Sequence, residues 1–488
     1  MALPVVYLTN ELDPRDSPHT ESAMISALLD RYRCPHDFLQ FELTGRLSSD
    51  SGYFRFGHQA ICYGRSATGY RTPHADALLY GAQHDSKTSG STVLLPFNPT
   101  EVIDNLRLER YARRCKPSEW SWRERTLRDA YYVFRPYMGV SLRKNLQRLH
   151  AGGWRQIAFP RWPVDTTVER LSEGLLLASM KATGVDRMPF VWFWPQGAKS
   201  CLVMTHDVED QRGYNSCREL MDIDAAHGMR ASFQLVPEGT YKVSEALLEE
   251  IRSRSCEVNI QDLNHDGYLF AERQEFLRRA RKINRYRQAY AANGFRSAVM
   301  YRNFEWYDAL DFSYDMSVPN AAHLDPQRGG CCTVFPYFVG DVLEIPLTTA
   351  QDYMLFHLLD DYSLNLWKTQ VGAILKENGL ISFLVHPDYV AEHRARQVYC
   401  ELLRWVQDLI TRKRLWCALP GELDKWWRSR SNMRVVRSRG EWQIEGPASE
   451  RALLAFAKNA GDHIEYEIGS TTQALEGQDN PSAPSMVK

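Results

Sequence analysis

The sequence predicts an α/β protein built on a distorted parallel (β/α) barrel, with an N-terminal mixed α/β domain before it and a small C-terminal β-rich module after it. Three observations predict this class. From Ala198 onward, short apolar runs alternate with amphipathic stretches of helical period, the signature of strands interleaved with helices. Those helical stretches stop at Gly228, Asn293-Gly294 and Asn378-Gly379, where a left-handed residue ends a helix cheaply. One apolar run, Cys201–Met204, breaks off into Thr205, His206, Asp207, Glu209 and Asp210, and ligands of such folds bind outside the carboxyl ends of parallel strands.

The chain has 488 residues, enough for about two to four domains and a substantial core. Apolar residues at 44% and charged residues at 24% exclude a largely disordered or fibrous protein. A formal net charge of -1 gives no electrostatic footprint for nucleic acid. The ten cysteines form no C-x-x-C pair, so neither a zinc knuckle nor a thioredoxin-like site is expected. MALPVVYLTNELDPRD carries no basic leader, and no apolar stretch approaches a membrane span. A soluble, reducing, cytoplasmic location is the expectation, with no membrane span.

Residues 1–195 read as mixed α/β. ALPVVYL suggests a first strand, Glu21 to Tyr32 a helix, and DFLQFEL followed by YFRFGHQAICYG alternates like paired strands. A polar loop is expected near Ser86 to Thr92, before the strand, turn and amphipathic helix of VLLPFNPTEVIDNLRLERYARR. Between Arg135 and Arg155 the chain turns basic, with a helix expected from Val140 to Leu149. A solvated face is the ordinary reading of that stretch; a clamp for an anionic or sugar-like substrate is the functional one.

The barrel is expected over residues 196–425. Its strands are CLVMTHD, RASFQLVP, EVNIQDL, FRSAVMY, DFSYDMS, DVLEIPL, LISFLVHP and RLWCALP. Its helices are Tyr214 to His227, Val243 to Arg254, Glu272 to Ala292, Tyr362 to Lys376 and Glu392 to Thr411. Residues 426–470 read as a hairpin turning at Arg439-Gly440, a short helix from Ala452 to Lys458 and a strand HIEYEI. Residues 471–488, rich in Thr, Gln, Gly, Ser and Pro, have the composition of a disordered tail.

Asp207 and Glu209, two apart at a strand end, project to the same side and can converge on one centre. An isolated D-x-E is more often a solvated acidic turn, so the partners matter. Four clusters fall at later strand ends: Gln261 to Asp266, Arg296 in GFRSA, Glu344 in LEIPL and His386 in LVHPDY. Each has a bland reading as well: His265 as a turn cap, Arg296 as a surface ion pair, His386 as a satisfied core histidine. Either Glu344 or Asp388 stands where it would orient His386. Aromatic residues nearby, Tyr268, Phe304, Trp306 and Tyr353, have the faces on which a sugar ring stacks, although such residues more often pack.

Taken in order over about residues 198 to 420, these motifs resemble the polysaccharide deacetylase family, the NodB-homology carbohydrate esterases. Thr205-His206-Asp207-Val208-Glu209-Asp210 looks like the family's first motif, and Glu257-Val258-Asn259-Ile260-Gln261-Asp262-Leu263-Asn264-His265 is similar to its second, H-S/T-x-x-H. Gly294-Phe295-Arg296-Ser297-Ala298 matches the third without its proline, YDMSVP resembles the phrase that follows it, and Leu384-Val385-His386 the closing L-x-H. The resemblance implies a NodB-type barrel and a metal-dependent hydrolase removing N-acetyl groups from an amino sugar of a polysaccharide or glycoconjugate precursor. It implies Asp207 as general base, Arg296 as its orienter, His386 as general acid, and Glu209 and His265 as ligands of a divalent metal ion, often zinc in this family. Tyr268 and Trp306 are the expected substrate-binding aromatics. The family's first motif-two histidine is Gln261 here, which reduces the expected ligand set to Glu209, His265 and a neutral amide, unless His206, Asp262 or Asp266 substitutes. The alternative is a degenerate barrel that binds a glycan or a partner protein without turnover. LPFNPTEVIDNLRLERY resembles N-terminal extensions of some deacetylase relatives, which implies no activity of its own.

Overall fold

The computed structural model describes residues 19–57, 59–69, 71–112 and 153–469. The strand expected in ALPVVYL, the helix expected from Val140 to Leu149 and the tail after Ser470 lie outside them. The chain opens with the helix His19–Tyr32, then β1 (Phe41–Leu43), the antiparallel pair β2 (Gly52–Phe56) and β3 (Ala60–Gly64), β4 (Lys87–Ser89), β5 (Thr92–Leu95) and the helix Pro99–Arg107. Asn98 starts that last helix by accepting from the Glu101 amide, with Pro99 in the first turn where no amide is needed. The expected polar loop at Ser86 to Thr92 is instead a hairpin: β4 pairs antiparallel with β5, and β5 pairs parallel with β1. Gly90 at its tip sits at φ +59°, a conformation a side chain disfavours, and this lets so short a turn close.

After the helix Thr167–Thr183 and β6 (Arg187–Val191) comes the sheet that carries the site. Its strands are β7 (Cys201–Val208), β8 (Ser232–Leu235), β9 (Glu257–Gln261), β10 (Gly294–Arg296), β11 (Tyr314–Asp315), β12 (Tyr337–Val339), β13 (Val342–Glu344), β14 (Leu380–Val385) and β15 (Trp416–Cys417). They run in the order β12-β13-β11-β10-β9-β8-β7-β14, with β15 beside the start of β7, and only β12 and β13 pair antiparallel. The sheet is a curled half-barrel. Every residue of β7 and β14 is buried, as expected of parallel strands covered on both faces. β10 is shorter than FRSAVMY suggests, because Ala298–Met300 turns as a 3-10 segment with Val299 and Met300 at positive φ.

The free edge of β14 is met by side chains rather than by another strand. Thr348 Oγ1 donates to the Leu380 carbonyl at 2.8 Å, Thr349 Oγ1 donates to the Ser382 carbonyl at 2.7 Å, and the Ser382 amide donates to Thr348 Oγ1 at 3.0 Å. Two hydroxyls thus satisfy backbone groups that a neighbouring strand would otherwise pair.

Beyond the helix Pro420–Ser431 lie the hairpin β16 (Arg434–Ser438) and β17 (Glu441–Glu445), then β18 (Leu454–Asn459) and β19 (Ile464–Ile468). The helix expected from Ala452 to Lys458 is therefore a strand. Its Ala and Leu residues favour helix in isolation, but pairing with β19 on one side and β6 on the other outweighs that preference. The C-terminal strands thus share a sheet with a segment that precedes the central sheet. Arg430, buried to 1% exposure, reinforces the join by donating to the carbonyls of Arg31, Val191 and Trp192. Among the described residues no helix is long and apolar enough to cross a membrane.

Candidate active site

Alternation along β7 sorts its side chains. His206 faces the core, with Nδ1 3.0 Å from the Val385 carbonyl and Nε2 2.9 Å from Asp224 Oδ2, so it is not available to a ligand in the cleft. Thr205 and Asp207 face the other way, toward Arg296 at the end of β10. Arg296 is fully buried and every contact it makes is directional: Nη1 donates to Asp207 Oδ1 at 2.7 Å and to Thr205 Oγ1 at 2.9 Å, and Nε donates to the Met316 carbonyl at 2.9 Å.

Gln261, at the end of β9, donates from Nε2 to Asp207 Oδ2 at 3.0 Å. A carboxylate oxygen requires a donor, so the amide nitrogen must face Asp207 and the amide oxygen must face away. Gln261 Oε1 is left buried without a protein partner. The next turn, Asp262 to Gly267, contains two left-handed non-glycine residues, Asp262 at φ +51° and His265 at φ +57°. Such conformations are costly and persist where surrounding structure enforces them. Here the turn brings His265 Nε2 to 2.8 Å from Glu209 Oε1. Asp266 is held by Arg279 at 2.7 and 2.8 Å.

His386, directly after β14, stands with Nε2 3.5 Å from the same Glu209 oxygen. Its partner is Asp352, which is fully buried: the His386 amide donates to Oδ2 at 2.8 Å and Nδ1 donates to Oδ1 at 2.6 Å. Burial alone would lower the His386 pKa, but the carboxylates of Asp352 and Glu209 overcome it and hold the imidazole well above its ordinary range. Burial would likewise raise Glu209, yet the imidazoles of His265 and His386 keep it well below the usual carboxylate range. Of the two orienters considered from sequence, Glu344 accepts instead from the Val318 amide at 3.0 Å, and no hydrogen bond joins Asp388 to the His386 ring. Asp352 opens the short helical stretch that runs on into the π-helical turn Met354–Leu359, 34 residues before His386, and belongs to no motif of the sequence that would point to it.

The expected site residues therefore form two groups of contacts at the ends of β7, β9, β10 and β14: Asp207 with Gln261 and Arg296, and Glu209 with His265 and His386. The expected aromatic contacts differ in character. Trp306 packs on Phe276 at 5.2 Å and Phe270 at 6.2 Å within a hydrophobic cluster. The Tyr268 amide bonds to Asp266, Phe304 packs on Tyr307, and Tyr353 stacks with Tyr389, whose ring lies 5.1 Å from that of His386.

The donor set does not fit the metal site that the resemblance implies. Glu209 and His265 are adjacent, but the third position is an amide turned toward Asp207. Among the described residues no group of three or more His, Cys, Asp or Glu is placed to hold a metal ion. A zinc site ordinarily needs three protein ligands of that kind. Gln261→His is accordingly expected to raise zinc content, measured by mass spectrometry after dialysis, from well below stoichiometric to about one ion per chain. Equal zinc in both proteins would contradict this account of the donor set.

No family model and no curated protein matches the chain. Several solved structures resemble it. One is a putative polysaccharide deacetylase from Mycobacterium smegmatis, at 16% identity over 51% of this chain and 98% of that one, with a TM-score of 0.42. A probable polysaccharide deacetylase from Pseudomonas aeruginosa PAO1 matches at 10% identity over 48% and 93% of the two chains, with a TM-score of 0.38. A family 4 acetyl xylan esterase from Clostridium thermocellum, in complex with a cobalt ion, matches at 13% identity over 46% and 91%, with a TM-score of 0.31.

Proposed function

We propose that this chain hydrolyses the amide of an N-acetylated amino sugar in a polysaccharide or glycoconjugate precursor. What supports the reading is one pairing: a carboxylate bonded to a buried guanidinium at the end of β7, and a histidine kept protonated by two carboxylates at the end of the neighbouring strand β14. The first suits a general base and the second a general acid.

Each Asp207 oxygen accepts one hydrogen bond and keeps a second lone pair, so Asp207 takes one proton from a water as its oxygen attacks the acyl carbon. Gln261 Oε1, the buried acceptor without a partner, holds the other water hydrogen and aims the attack. Collapse of the tetrahedral intermediate breaks the C–N bond, and the His386 Nε2 proton goes to the departing amine. Arg296 fixes Asp207, and Asp352 fixes His386 with Nε2 toward the cleft. An amine leaves poorly unless protonated, which is why an imidazolium matters more for an amide than for an ester.

The test is acetate release from N-acetylglucosamine oligosaccharides. Wild type is expected to release acetate, and Asp207→Asn to lower the rate by about 10²–10⁴-fold with unchanged melting behaviour. A wild type that binds the oligosaccharide but releases no acetate would sink the hydrolase reading and favour a binding module without turnover.

A further inference from the structure

Asp315 at the end of β11 and Glu344 at the end of β13 take no part in the chemistry above, yet both carboxyl groups are buried, at 2% and 0% exposure. The parallel register of their strands sets the two residues opposite each other, and their carboxyl groups hydrogen-bond across it. Asp315 Oδ2 accepts from the Tyr307 hydroxyl at 2.9 Å and the Ser317 amide at 3.2 Å, and Oδ1 accepts from Ser317 Oγ at 2.7 Å. Glu344 Oε1 accepts from the Val318 amide at 3.0 Å, while Oε2 is buried and met by no N–H or O–H donor.

Two carboxylate oxygens can bond each other only through a proton. Arg302 is the cation that acts on Glu344, but Glu109 already takes it: Arg302 Nε donates to Glu109 Oε2 at 2.6 Å and Nη2 donates to Oε1. The other ionisable groups around the pair, Tyr307, Tyr337 and Cys331, are kept neutral because burial pushes each well above its ordinary range. Burial and the neighbouring Asp315 likewise push Glu344 well above the usual carboxylate range. What the pair holds is the segment just after β11. The Ser317 and Val318 amides and Ser317 Oγ all donate to it, and Ser317 Oγ also accepts from the Ser297 amide at 2.8 Å. The first residue of that segment, Met316, offers the carbonyl that receives Arg296 Nε at 2.9 Å.

We propose that Asp315 and Glu344 are a positioning pair for the general base: they share one proton, which lies between Glu344 Oε2 and Asp315, and so fix Met316–Val318 with the Met316 carbonyl aiming Arg296 at Asp207. The positioning role rests on the hydrolase reading above. The shared proton does not, since it follows from two buried acceptors in contact with no free cation beside them. Arg296 Nη1 meets Asp207 Oδ1 at 2.7 Å only while Nε is tied to Met316, so a shift of that carbonyl turns the whole planar guanidinium. Loss of the proton would set two charges side by side in a dry site and release the Val318 amide or the Ser317 hydroxyl from its acceptor.

The experiment measures acetate release from N-acetylglucosamine oligosaccharides by wild type, Glu344→Leu, Glu344→Gln and Ser317→Ala. Glu344→Leu removes both the shared proton and the Val318 acceptor, and is expected to lower kcat about tenfold or more with KM within about twofold. Glu344→Gln presents a neutral N–H to Asp315 and an oxygen to Val318, and should recover most of that loss. Ser317→Ala breaks only the bridge from Asp315 to Ser297; it should also lower kcat at unchanged KM, and decides the positioning role if Glu344→Leu fails to fold. The proton is read separately, from denaturant midpoints. A carboxyl raised above its unfolded value takes up a proton on folding, so wild type loses stability as pH rises from about 5 to about 9, and Glu344→Gln should gain on it steadily across that range. A midpoint difference that does not change with pH overturns the shared proton. Wild-type kcat in both Ser317→Ala and Glu344→Leu overturns the positioning role and leaves the hydrolase reading standing. No acetate release by wild type overturns that reading and the positioning role with it, while the midpoints still decide the proton.

Discussion

Asp352→Asn is expected to lower kcat by about 10²–10⁴-fold without unfolding the protein. The carboxylate accepts from both the His386 amide and Nδ1, so it sets the ring's orientation and its tautomer together. Asparagine keeps the shape but offers one acceptor where two are needed, and its NH2 group then faces a donor. The charge matters as well. Asp352 is the main influence raising the imidazole against the opposing effect of burial. A general acid works only while protonated, so the rate falls as pH rises through the His386 pKa. That alkaline limb lies well above 6.5 in wild type and should move to lower pH in the variant. A pH profile of kcat checks this, and a variant with reduced rate but an unmoved alkaline limb would assign Asp352 a merely structural role.

Arg296→Met should produce the largest loss of stability. The guanidinium is fully buried and its loss leaves Asp207, at 2% exposure, as a buried charge with only the Gln261 amide for compensation. Breaking a buried pair from one side costs about 3–5 kcal/mol. The double variant Arg296→Met/Asp207→Leu, in which no charge is stranded, should recover much of that loss while remaining inactive. Denaturant midpoints measure both. A single variant within about 1 kcal/mol of wild type would mean that water or another cation reaches Asp207.

β7 and β14 were legible as short apolar runs, as parallel strands covered on both faces tend to be, while β8 (SFQL) and β9 (EVNIQ) were legible through apolar and polar residues in alternation between helical stretches. Asp207, Glu209, His265, Arg296 and His386 could be singled out because each sits at or just past such a strand end. Asp352 was invisible for the opposite reason: it follows no strand end but starts a short helical stretch, and what makes it a partner is its approach to His386 34 residues later, which sequence spacing does not encode. β18 was misread because Ala and Leu carry a local preference that only its two neighbouring strands overrule. Trp306 was singled out by residue type alone, and residue type does not tell an aromatic ring at a cleft from one packed on Phe276.

The sheet formed by β6, β18 and β19 also bears on the order in which the chain acquires its structure. Val191 pairs with Leu454, so a contact in the finished protein spans roughly 260 residues, and pairings of such long range form late. During synthesis β6 would emerge with Met188 and Phe190 ready to be buried, and would wait for nearly the whole barrel before its partner strand arrived. A chain cut after residue 425 would keep every residue of the catalytic network, yet would leave that strand edge open to other copies of itself. Removal of the last strands would therefore appear first as aggregation during production, before any change in chemistry.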